Sequence, residues 1–292
     1  ANAYTITLSE TTLVAADLLD VHTRTTVPLN ASSVTTLRGT AAQILTVLVE
    51  NSDFDTDYVS AKARTITGLD SVAVLPSVGQ TATIAQIFGI ERLTTGLVTA
   101  VVTAAGVNQG LDHLMDTTTG IGLTNPNNAI SVTVDDDGGS QTISAASLNT
   151  LNSRTTGLIT VSVTAITGTV ADLKTAFAAN VAPAAAGTQI TGLEADTVTI
   201  TYPAGNNVDT SLAATDFNIL DAATTGAITA SAATSLTGVG ALTDDGNGNL
   251  VSAVRTALAS IATNQGVWAD ANGNMTLPVT LTGNVTVAEA NV

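Results

Sequence analysis

The chain has 292 residues, with 24 Asp plus Glu against 8 Lys plus Arg and a net charge of −16. So few cations cannot build a basic patch, which excludes nucleic-acid binding through phosphates and argues against an anionic membrane surface. Cysteine is absent, so disulfides, thiolate metal sites and cysteine catalysis are excluded, and no apolar run approaches the ~20 residues that span a bilayer.

Apolar residues reach 45% but aromatics only 3%, so the core must be built from Ala, Val, Leu and Ile. Thr is the dominant polar residue with 53 copies, and charged residues are 11%, well under the roughly one quarter of ordinary soluble domains. Thin aliphatic cores with a hydroxyl-dressed surface suit narrow stacked coils better than a wide globular interior.

The chain opens Ala1-Asn2-Ala3 without Met, which fits a mature form or an excised fragment. Residues 4–8 alternate apolar and hydroxyl side chains, the period of a half-buried strand. Residues 13–19 have helical spacing with Thr11 or Thr12 as N-cap, and Thr25-Thr26-Val27 follows. A second strand is expected at 34–37, then Gly39 and a second helix at 41–48. Ile66-Thr67-Gly68-Leu69 closes a first unit, 1–71.

The second unit, 72–128, repeats the pattern with a strand at 72–75, a helix at 84–88, Thr94-Thr95-Gly96, a strand at 97–102 and Gly106. It ends in Ile121-Gly122-Leu123. The third, 129–196, has a strand at 130–134, a helix at 143–148 capped by Thr142, Thr155-Thr156-Gly157, a strand at 158–163 and Gly168. A helix at 170–177 and Ile190-Thr191-Gly192-Leu193 complete it. The fourth, 197–278, has a strand at 198–202, a helix at 212–217 capped by Thr210 or Ser211, Thr224-Thr225-Gly226, a strand at 227–230 and Gly238. A looser ending stands at Gly266-Val267-Trp268, and residues 279–292 begin a further strand at 279–282.

The doubled threonines stand at 25, 94, 155 and 224, separations of 69, 61 and 69 residues. One architectural unit is therefore written about four times. In it the Thr-Thr-Gly glycine is expected to stop the preceding helix with a positive φ. Successive βα units with right-handed crossovers give a parallel sheet. The predicted fold is an α/β-solenoid of stacked βα units with a Thr-rich exposed sheet face; the alternative is tandem all-β sandwich domains, with the Ala-rich stretches as loops. The strand at 279–282 is an assembly-tail candidate, able to complete the first unit of a neighbouring copy; a cut from a longer array accounts for it equally.

The segments 214–221 (Ala-Thr-Asp-Phe-Asn-Ile-Leu-Asp) and 145–152 (Ala-Ala-Ser-Leu-Asn-Thr-Leu-Asn) resemble the Leu-Asn-x-Leu-Asp repeat of phage and cyanophage tail-fibre proteins. Residues 30–42 resemble repeats of large secreted surface-layer, adhesin-like and calcium-binding proteins of cyanobacteria and other aquatic bacteria. The second unit departs most. The resemblance implies an extracellular or cell-surface structural protein, with no particular chemistry.

Four acidic turns are the only candidates for sites. Asp53, Asp55 and Asp57 alternate like the opening of a calcium loop but lack its glycine and distal Glu. Asp244, Asp245 and Asn247, and Asp270, Asn272 and Asn274, resemble calcium-stabilised turns, and Asp135, Asp136 and Asp137 form a fourth cluster. Each also makes a good turn without any ion, yet adjacent carboxylates repel one another without a counter-ion. Calcium is therefore the expected cofactor. The partners expected are copies of the chain and cell-surface glycans, with no nucleic acid and no membrane insertion.

No enzyme chemistry is expected. Only His22 and His113 exist, each Ser has a simpler use as a cap or strand residue, and the single Trp268 cannot form a sugar-stacking platform. Regular hydroxyls on a flat sheet can order water, but Ala and Val interrupt the Thr ladder and Thr favours β structure anyway.

Overall fold

A computed structural model of the chain describes residues 6–53, 63–76, 81–105, 127–135, 142–180, 190–202, 210–230, 233–239, 243–244, 250–263 and 279–282. The elements in order are β1 (Thr12–Val14), α1 (Ala15–Thr23), β2 (Leu29–Asn30), β3 (Thr36–Gly39), α2 (Ala41–Asn51), β4 (Ile66–Thr67), β5 (Ala73–Pro76), α3 (Ile84–Leu93), β6 (Thr99–Ala105) and β7 (Ala129–Asp135). Then come β8 (Thr142–Ser144), α4 (Ala145–Asn152), β9 (Ile159–Ser162), β10 (Ala165–Gly168), α5 (Val170–Ala179), β11 (Ile190–Thr191) and β12 (Thr197–Ile200). The last are β13 (Ser211–Ala213), α6 (Ala214–Ala223), β14 (Ile228–Thr229), β15 (Ser235–Val239), β16 (Thr243–Asp244), β17 (Leu250–Val251), α7 (Ala253–Thr263) and β18 (Val279–Thr282).

The chain forms two compact units, Ala1–Ser140 with Thr150–Ser162, and Gln141–Asn149 with Val163–Val292. In the first, β1, β3 and β5 pair in parallel and place Leu13, Leu37 and Val74 in one row. The strands β2 and β4 pair in parallel, as do β6, β7 and β9. Helix α2 turns Ala41, Ile44, Val47 and Leu48 into the core, the spacing of one apolar helix face. In the second unit, β8, β10, β12 and β14 pair in parallel and align Ile143, Ile166, Val198 and Ile228, all buried. The strands β13, β15 and β18 form another parallel sheet with Leu212, Leu236 and Val279 in register. Only β16 and β17 pair antiparallel among the described strands. Each fully buried Leu, Ile or Val stabilises the core by about 1.5–3 kcal/mol.

The protein is thus α/β, with parallel sheets and helices between strands. The all-β alternative is overturned, because the Ala-rich stretches it needed as loops are α1, α4 and α6. Most strands and helices fall where periodicity placed them, but residues 13–14, 143–144 and 212–213, expected to open helices, belong to strands β1, β8 and β13. A second misassignment concerns the second strand of the first unit. Residues 34–37 are not the counterpart of 97–102, 158–163 and 227–230. That role belongs to β2, and β3 is a further strand matched by β10 and β15. Residues 4–5 of the expected first strand lie outside the described residues; Thr7 bridges Asn30 in parallel.

The glycines that end these further strands have a packing reason. A Cβ on Gly39 or Gly168 would meet the Cβ of Ala15 or Ala145 at 3.2 and 2.9 Å, and one on Gly238 would meet Val254 Cγ2 at 2.7 Å and the Cβ of Ala214 at 3.1 Å. Those alanines begin α1, α4 and α6. Small residues on both sides let each strand end lie against the start of a helix.

Helix caps differ from expectation. Thr12, Thr142 and Ser211 lie in strands, and α1 and α6 have Val14 and Ala213 at the N-cap with no side-chain cap. In α4, Ser147 N donates weakly to Ser144 Oγ at 3.4 Å. Side-chain caps are seen at α2, α3 and α5. Thr40 with Gln43 and Thr83 with Gln86 make reciprocal capping boxes, and Thr169 accepts from Asp172 N.

Candidate functional site

The acidic turns are the first candidates. The exposed Asp53 is gripped by the Arg64 guanidinium, with Nε to Oδ1 at 2.8 Å and Nη2 to Oδ2 at 3.0 Å. Arg64 Nη1 also donates to both Asp70 oxygens at 2.9 and 3.1 Å, and Asn51 Nδ2 donates to Asp70 Oδ1 at 3.1 Å. The same Asn51 accepts Leu69 N at 3.0 Å. Hydrogen bonding to Arg64 holds Asp53 below the usual carboxylate range, so a cation of the chain itself occupies the place expected for calcium at this residue. Asp135 ends β7 and Asp244 ends β16. Asp55, Asp57, Asp136, Asp137, Asp245, Asn247, Asp270, Asn272 and Asn274 lie outside the described residues. Among the described residues no group of three or more His, Asp or Glu could hold a metal ion.

The Thr-Thr-Gly sequences form the most distinctive structure. Their first threonines, Thr94, Thr155 and Thr224, are buried. Each hydroxyl accepts the N–H of the glycine two residues on, at 3.0, 2.9 and 2.9 Å. Each also donates to a backbone carbonyl of a neighbouring strand segment: Val72 O at 2.7 Å, Ile130 O at 2.8 Å and Asp196 O at 2.7 Å. The second threonine adds a backbone bond, from Thr95, Thr156 and Thr225 to Asp70 O, Asn128 O and Glu194 O, at 2.8, 2.9 and 2.8 Å. A local turn and a long-range strand contact are thereby closed by one hydroxyl.

The glycines serve close approach, not positive φ. A Cβ on Gly96, Gly157 or Gly226 would lie 2.2, 2.3 and 2.1 Å from backbone atoms of Val72, Ile130 and Asp196. The helices α3 and α6 end instead on extended Thr94 and Thr224, with φ −137° and −136°. The positive-φ glycines among the described residues are Gly68 and Gly192, at φ 92° and 101° in the Ile-Thr-Gly-Leu segments, and Gly39 at the end of β3, at φ 144°.

Two buried polar clusters escaped the sequence reading. Asn128 accepts Val98 N at 2.8 Å and donates to the buried Glu91. Asp196 is 3% exposed, and its Oδ2 has no hydrogen-bond partner. Burial first, and the charge of Glu194 second, push its carboxyl up to about 6. In strand register Asp196 stands where Val72 and Ile130 stand in the other two clasps, since each precedes by two the residue paired with the following strand. No sequence signal separates it from an exposed turn aspartate; only its alignment with two aliphatic residues could have.

The outer sheet face is partly the hydroxyl ladder expected. Ser144, Thr167, Thr199 and Thr229 occupy one row across β8, β10, β12 and β14. The next row, Thr142, Ala165 and Thr197, is interrupted. His22 is half-buried in the last turn of α1, and Asp20 pairs with Arg24 at 3.0 Å. His113 and Trp268 lie outside the described residues. No described helix is long and apolar enough to cross a membrane. The chain matches no family model, no curated protein and no solved structure.

Proposed function

We propose that the chain is an extracellular or cell-surface structural subunit, an α/β-solenoid that joins copies of itself head to tail into a filament or surface layer. One observation carries this reading. The sheets β1-β3-β5 and β13-β15-β18 are parallel throughout, with β1 and β18 as outer strands. A strand of another copy that continues this parallel pairing runs in the same direction as the edge it meets, so the copies are related by translation, an open heterologous contact. Calcium at the acidic turns would offset the net charge of −16, which otherwise sets copies against one another. In this reading no residue performs chemistry.

A second reading, a binding module of a tail fibre or adhesin facing cell-surface glycans, is favoured by the exposed Val101 on β6 and Leu158 just before β9, since apolar groups on a sheet face suit contact with a partner. Electron microscopy of the full chain, in calcium and after chelation, tests both. Ordered filaments or sheets that disperse on chelation support the first reading with its cofactor; polymers indifferent to chelation remove calcium from it. Dispersed rods, or normal polymers after deletion of 279–292, refute joining through β18.

A further inference from the structure

The three clasps share their hydroxyl and glycine geometry but differ in the residue beneath. Under Thr94 and Thr155 it is Val72 and Ile130, buried aliphatic side chains. Under Thr224 it is Asp196, equally buried, with one carboxyl oxygen unpartnered. Its own carbonyl accepts Thr224 Oγ1 at 2.7 Å, and the Gly226 backbone packs directly on it. Thr225 N is bonded to Glu194 O two residues before, and Val198 N, two residues after, to Ala227 O. The carboxyl therefore sits inside the joint that holds β14 to β12.

The charge that acts on it is negative. Glu194 lies on its own segment and repels it. On helix α5, which precedes it in the chain, Asp172 accepts from Thr169 Oγ1 at 2.7 Å and Lys174 pairs with Asp216 of α6 at 2.7 Å. Asp221 of α6 receives Ser260 Oγ at 2.6 Å. A neutral carboxyl fits such a site, whereas an ionised one without a partner must reach water.

We propose that Asp196 makes the β12–β14 joint proton-dependent: protonated, the clasp of Thr224, Thr225 and Gly226 holds; ionised, it opens locally to water. The folded carboxyl titrates higher than the free one, about 6 against 3.8. Its stabilising contribution is therefore complete below the free value and lost as pH rises through the folded one. The residues beneath the other two clasps, Val72 and Ile130, carry no titratable group.

The test is amide hydrogen exchange on the full chain, as protection factors corrected for intrinsic rates, from about pH 5 to about pH 7. Protection at Val198, Thr225 and Gly226 should fall about tenfold over that range. Protection at Thr95, Gly96, Thr156 and Gly157 should stay level. In Asp196→Asn and Asp196→Val the Thr225 and Gly226 amides should lose their pH dependence. Level protection at Thr225 in the unmodified chain, or an equal fall at Thr95 and Thr156, overturns the proposal, and neither comparison needs the variants to fold.

Discussion

Replacing Thr155 by valine isolates what one clasp hydroxyl contributes. Valine keeps the volume and the β-branch, so packing at this residue, 2% exposed, is nearly unchanged. What disappears is the oxygen that accepts Ile130 N at 2.8 Å and Gly157 N at 2.9 Å, and whose proton is directed to Ile130 O at 2.8 Å and Asn128 O at 3.0 Å. A buried N–H left without a partner costs about 1–3 kcal/mol, so two give about 2–6 kcal/mol. Thr155→Ser keeps the oxygen and removes one methyl, a loss of about 1 kcal/mol. The adjacent Thr156 bonds Asn127 O and Asn128 O through a more exposed hydroxyl, and Thr156→Val should cost under about 1 kcal/mol. Urea denaturation followed by circular dichroism ranks the three. If valine at 155 is no worse than serine there, the hydroxyl does not carry the clasp and the reasoning fails.

Two further outcomes follow from the geometry. Gly226→Ala would put a Cβ 2.1 Å from Asp196 O, a backbone atom, and should lower stability by about 4 kcal/mol or more. Gly168→Ala, whose nearest neighbour is the Ala145 Cβ at 2.9 Å, should cost less; thermal melts giving the reverse order would refute the close-approach account. At Asp53, pairing with Arg64 depresses the carboxyl, so its contribution is present above the ordinary carboxylate value and lost as pH falls through the folded one. In Arg64→Gln the Asp53 carboxyl resonance should titrate at higher pH, and an unmoved titration would mean the pair does not form in solution.

The sequence was read correctly where short-range physics decides. Alternation at 130–134 and 198–202 gave β7 and β12, and the apolar spacing at 41–48 and 170–177 gave α2 and α5. It was misread where the partner is distant. Thr12, Thr142 and Ser211 looked like caps because a hydroxyl before an Ala-rich helix is the usual signature. In the fold the strands β1, β8 and β13 run directly into α1, α4 and α6, which places those residues in strand pairing instead. Of the candidate calcium ligands, only Asp53 has a described environment, and its partner Arg64 is eleven residues away, beyond any local motif.

Local sequence therefore determined the longer strands and the helices, though not the short strands β1, β8 and β13 that lead into three of them, since a period of two or of 3.6 fixes which face turns apolar whatever lies opposite. It also marked the doubled threonines as significant. Their use was decided by tertiary structure alone. The carbonyls of Val72, Ile130 and Asp196 lie 22, 25 and 28 residues before the hydroxyls that bind them. The glycine requirement comes from those same backbones pressing in from another strand. A carboxyl at Asp196 is ordinary in the chain and costly in the fold, because only packing removes the water that would solvate it.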